Sequence, residues 1–129
     1  MTVLVGYLPT AEGEAAFAAG LDEAKRRGED LLAINSPRSG APVSVEAADP
    51  HRLDDLTARA ERSGVELRIQ TTPHTGELAD ELLHIAASEN ASVIVIGLRR
   101  RSPVGKLFLG STAQRILLTA DRPVLAVKP

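Results

Sequence analysis

The chain has 129 residues, 43% of them apolar and 25% charged, with a formal net charge of −2. Those values suit a single globular domain over residues 1–129 with a core of its own. Cysteine is absent, which excludes disulfides, thiolate metal sites and cysteine nucleophiles. The aromatics are Tyr7, Phe17 and Phe108 alone, so stacking surfaces for single-stranded nucleic acid are missing, and the acidic balance argues further against nucleic-acid binding.

No basic stretch precedes the opening apolar run, so residues 2–7 are expected to form a strand and not a signal peptide. Nothing in the sequence is long and apolar enough to cross a membrane, and the expected location is the cytoplasm. Thr10 is a good N-cap for an alanine-rich helix that stops at Arg26-Arg27-Gly28. Phe17, Leu21 and Ala24 fall on one face of it. Residues 30–34 read as a second strand, and residues 36–48, with two prolines and little periodicity, as a surface loop. Asp49-Pro50 predicts the start of a second helix that ends near Ser63-Gly64. Alternation at Val65, Leu67 and Ile69 predicts a half-exposed edge strand. A third helix is expected over 75–89, then the strand Ser92-Val-Ile-Val-Ile96, a helix over 111–120 and a last strand over 123–127.

Such alternation of strands and helices predicts a doubly wound α/β fold, a five-stranded parallel sheet of order 3-2-1-4-5 with helices on both faces. Ligands in such sheets bind beyond the carboxyl ends of the strands where the order reverses, here between the first and fourth strands. The loop after the fourth strand holds Gly97, Gly105, Gly110, the run Arg99-Arg100-Arg101 and Lys106. Glycines admit close approach of a ligand to the backbone, and the helix that follows offers unpaired N–H groups to phosphate. Ser111-Thr112-Ala113-Gln114 also fits a capping box, which would occupy Ser111 structurally.

At these residues the chain resembles the universal stress proteins over essentially its whole length. The likeness rests on Val3-Leu4-Val5, on Val93-Ile-Val-Ile-Gly97, and on Gly110-Ser111 followed by Arg122-Pro-Val-Leu-Ala-Val127. It implies a Rossmann-like, adenine nucleotide alpha hydrolase-like fold and a regulatory protein of the stress response. The nucleotide-binding branch carries Gly-x-x-Gly-x9-Gly-[Ser/Thr], which lands here on Gly97, Arg100, Gly110 and Ser111. An Asp that follows the first strand in the ATP-binding members is Leu8 here, and Thr10 stands at a serine position, free to cap the helix or meet a ribose. The resemblance thus implies ATP or AMP, with or without Mg2+, held by Ile96, Gly97, Arg100, Gly110, Ser111, Thr112 and Thr10. Arg100 leaves two outcomes open: obstruction of the phosphates, or a guanidinium that replaces a backbone contact. The resemblance also implies a homodimer through residues 123–127, an apolar edge strand that invites pairing with another chain. Two alternatives stand beside nucleotide-dependent regulation by a non-enzyme. One is a dimeric interaction module that acts through protein partners without nucleotide; the other is a weak ATPase. His51, His74 and His84 have no ligand-like spacing, and no residue pattern places a base beside a nucleophile.

Overall fold

The computed structural model describes residues 1–36, 50–71, 73–100, 107–108 and 110–129, with Arg100, Leu107 and Phe108 described by backbone alone. In chain order the elements are β1 (Thr2–Gly6), α1 (Ala11–Arg27), β2 (Asp30–Asn35), α2 (Pro50–Ser63), β3 (Leu67–Thr71), α3 (Leu78–Ser88), β4 (Ala91–Gly97), β5 (Arg99–Arg100), β6 (Leu107–Phe108), α4 (Ser111–Thr119) and β7 (Val124–Val127).

Five strands pair in the order β3-β2-β1-β4-β7, all in parallel, which is the expected 3-2-1-4-5 arrangement with β7 as its fifth strand. Leu4 at the centre faces Leu32 on one side and Ile94 on the other. The two-residue period of a strand then sorts its neighbours between two faces. Val3, Val5, Leu31, Ala33, Val93 and Val95 bury against Phe17, Leu21 and Ala24 of α1 and Leu56 and Ala60 of α2. Leu4, Leu32, Ile34, Ile94 and Ile96 bury against Leu82, Ile85 and Ala86 of α3 and Ile116 of α4. Two apolar faces on each inner strand explain why the strands read as near-continuous apolar runs.

The helix ends follow their local chemistry. Thr10 caps α1, its hydroxyl oxygen accepting from the Gly13 N–H at 3.1 Å. Gly28 ends α1 with φ of 66°, a left-handed conformation that favours glycine, and the Glu29 N–H closes the turn on the Ala24 carbonyl. Pro50 is the first residue of α2, as expected; Asp49, its anticipated cap, lies outside the described residues, as does most of the anticipated loop.

Three expectations need correction. The third helix starts at Leu78 and not near residue 75, with Glu77 as a cap that makes no side-chain bond. The edge strand begins at Leu67, although Val65 is buried beside it. Ser111 is not an N-cap: Gly110 occupies that position and no side chain caps the helix, so the expected capping box does not form. In addition, β5 and β6 pair antiparallel, Arg99 opposite Phe108 and Arg100 opposite Leu107, a ladder too short to leave a periodic signal in the sequence.

Candidate functional site

The site grows from a close approach of backbone to backbone. A Cβ on Gly97, at the end of β4, would lie 2.1 Å from the Glu12 carbonyl oxygen; one on Gly13 would lie 1.7 Å from the Leu8 carbonyl oxygen. Real Cβ atoms do not approach that closely, so Gly97 lets the first turn of α1 settle on the carboxyl end of β4, and Gly13 lets the loop after β1 lie against that turn. A cleft opens beside that contact, between the ends of β1 and β4, where the strand order reverses.

The cleft has a volume of about 170 Å3 and is partly open to solvent. One part of its wall is apolar, from Ile34, Leu78, Leu82, Ile96 and Ile116. The other part is polar, from Glu12, Gly97, Arg99 and the start of α4 at Gly110, Ser111 and Thr112. At that start the first intrahelical bond runs from Gln114 N–H to the Gly110 carbonyl, so the N–H groups of Ser111, Thr112 and Ala113 have no partner within the helix. Gly110 has φ of −64° and ψ of 161°, backbone that any residue adopts, and nothing described lies within 4 Å of where its Cβ would be. Neither conformation nor crowding by described residues requires glycine there, and Gly110 lines the cleft.

Of the residues singled out in the sequence, Ile96, Gly97, Gly110, Ser111 and Thr112 all line this cleft, and so does Leu8. Thr10 is not among the lining residues, its hydroxyl oxygen engaged as the cap of α1. The side chain of Arg100 lies outside the described residues, together with Arg101, Gly105 and Lys106.

Sequence reading missed three features. Glu12 lines the cleft and places its carboxylate 3.6 Å from the Arg99 guanidinium. Leu78 and Leu82 of α3 form part of the apolar wall. Ser36 and His74, distant in sequence, meet in the interior beside the cleft. His74 Nδ1 lies 2.9 Å from the Ser36 carbonyl oxygen and 3.2 Å from its Oγ. A carbonyl only accepts, so Nδ1 carries the proton and cannot take one from the Ser36 hydroxyl; the pair is not an activated nucleophile.

Behind the cleft, Tyr7 donates its hydroxyl to Glu14 at 2.6 Å, and the same carboxylate takes Arg59 at 2.8 Å and Arg52 at 3.1 Å. Burial raises the Tyr7 pKa, and the Glu14 carboxylate raises it further. For Glu14, burial works upward, but hydrogen bonds from Tyr7, Arg59 and Arg52 outweigh it and hold the carboxyl below its ordinary range. This network joins β1 and α1 to α2 and keeps Tyr7, a lining residue, in place.

The family model for the universal stress protein family matches residues 1–128. The chain belongs to the universal stress protein family. It is 44% identical over 127 residues to a curated universal stress protein of Mycolicibacterium smegmatis, covering 98% of this chain and 97% of that one. It superposes on a universal stress protein of Archaeoglobus fulgidus with a TM-score of 0.83 at 28% identity, over 99% of this chain and 98% of the other. An Archaeoglobus fulgidus universal stress protein solved in complex with dAMP matches with a TM-score of 0.75 at 23% identity, over 99% and 98% of the two chains.

Proposed function

We propose that this universal stress protein is a homodimeric, non-enzymatic regulator that binds an adenine nucleotide, ATP or AMP, between β1 and β4, acting as one domain over residues 1–129. The observation that carries the reading is the combination at Gly110: N–H groups at the start of α4 with no partner in the helix, no side-chain cap, and no described atom within 4 Å of where a Cβ would stand. A phosphate placed there meets backbone donors and the positive end of a helix. The apolar wall of Ile34, Leu78 and Leu82 suits a base or sugar face. The dAMP complex of the Archaeoglobus relative supports the same class of ligand.

Leu8 favours a second reading. It puts an aliphatic side chain on the cleft wall where a carboxylate stands in the ATP-binding members, and a chain altered in this way would serve as an interaction module without nucleotide. Calorimetric titration of ligand-stripped protein with Mg-ATP, AMP and cyclic AMP separates the two. Saturable binding near one nucleotide per chain supports the first reading; no heat up to millimolar ligand, with no thermal shift, supports the second. In the same experiment Arg100→Gly weakens binding about tenfold if the guanidinium contacts phosphate, and strengthens it by a similar factor if the side chain obstructs.

A further inference from the structure

The described wall of the cleft carries two groups ionised at neutral pH, Glu12 and Arg99, and they face each other at 3.6 Å. Glu12 sits in the first turn of α1, directly over Gly97, where the backbone contact fixes its place. Its side chain is 21% exposed, against 51% for Arg99, so the carboxylate is the more enclosed charge of the two. A phosphate that reaches the helix N–H groups from this cleft therefore shares its wall with a carboxylate. Arg99 offsets that carboxylate but is itself engaged by it, and each negative charge added to the ligand meets the same opposing charge.

We infer that Glu12 is the residue that limits ligand charge in this cleft, favouring a mononucleotide or cyclic nucleotide over ATP free of divalent cation. The inference rests on the adenine-nucleotide reading for the identity of the ligand but not for the ranking by charge. ATP carries about four negative charges at neutral pH, AMP about two, cyclic AMP about one and adenosine none, so the carboxylate acts on them in that order. Removing it releases Arg99 at the same time, and both changes act in one direction.

The test compares the dissociation constants of adenosine, AMP, magnesium-free ATP and tripolyphosphate for the full chain and for Glu12→Gln, which keeps the side-chain shape. The expected result is a gain of about tenfold or more for ATP and tripolyphosphate, about threefold for AMP, and none for adenosine. Arg99→Met, the companion variant, is expected to weaken ATP and tripolyphosphate by about tenfold and to leave adenosine unchanged. Thermal melting of both variants checks that the fold persists. An equal effect of Glu12→Gln on all four ligands, or a loss of ATP affinity, overturns the inference. If neither protein binds adenosine or AMP, the adenine reading fails. Tripolyphosphate then decides alone: a gain on Glu12→Gln supports charge limitation by Glu12, and no gain overturns it.

Discussion

Gly97 and Gly110 stand at the two ends of one phosphate-like loop, yet they are glycines for different reasons. At Gly97 the Glu12 carbonyl leaves no room for a side chain, so the residue serves the packing of α1 on β4 as well as the cleft. At Gly110 nothing described in the protein fills the space. Gly97→Ala is accordingly expected to cost about 1–3 kcal/mol, because two backbones must move apart, and to lower the midpoint of urea unfolding. Gly110→Ser should leave the unfolding free energy within a few tenths of a kcal/mol, since serine is a favoured N-cap. If the proposed nucleotide binds there, the hydroxyl would take a helix N–H that its phosphate needs, and binding should fall by about tenfold. Paired unfolding and titration of the two variants check the distinction. The sequence motif marks both positions alike; only the distance from Gly97 to Glu12 tells them apart.

Among the elements, α1 does most to shape the site. Its cap is made by Thr10, its first turn supplies Glu12 to the cleft, and Glu14 gathers Tyr7, Arg52 and Arg59 behind it. Arg59 also lies 4.9 Å from the centre of the Phe17 ring, tying α2 to the same face. Glu14→Gln should destabilise the protein by about 1–2 kcal/mol at neutral pH, because it weakens three bonds to a single carboxylate. The pH dependence follows from the depressed Glu14 pKa. A carboxyl whose pKa is lower in the folded state contributes stability above its unfolded value, about 4.3, and loses it as pH falls through the folded value. Denaturant unfolding across pH 2 to 7 should therefore show a gap between wild type and Glu14→Gln that is widest at neutral pH and closes in acid. The helix, its cap and its buried stripe were legible from Thr10, the alanines and Gly28. The network was not, because Glu14 and Arg59 are distant in sequence and belong to different helices.

For the whole molecule, β7 is one of the two edges of the sheet, with β3 at the other. Ile94 and Leu98 donate to the carbonyls of Pro123 and Val127, so the intervening residues Val124 and Ala126 turn their backbone polar groups away from β4. Among the described residues nothing hydrogen-bonds to that outward ladder, and Leu118 of α4 is 79% exposed. If the proposed homodimer forms through this strand, wild type should sediment as a dimer. Ala126→Pro, which removes an outward N–H without touching the bonds to β4, should then sediment as a monomer that remains folded. A dimer that survives the substitution would place the interface elsewhere.

Strand order, the two-faced sheet and the approximate ends of most elements follow from the sequence, because period, caps and glycine stops act over a few residues. Val3-Leu4-Val5 and Val93-Ile-Val-Ile96 show that their strands are buried on both faces, and alternation with helices leaves few parallel topologies open. The positions of Gly97, Gly110, Ser111 and Thr112 at the switch point were equally legible. Tertiary structure decided the rest: that Ser111 is inside its helix and not its cap, that His74 serves Ser36, and that Glu12 crosses to meet Arg99. Each depends on residues that folding brings together from different elements, and local sequence preferences carry no information about such distances.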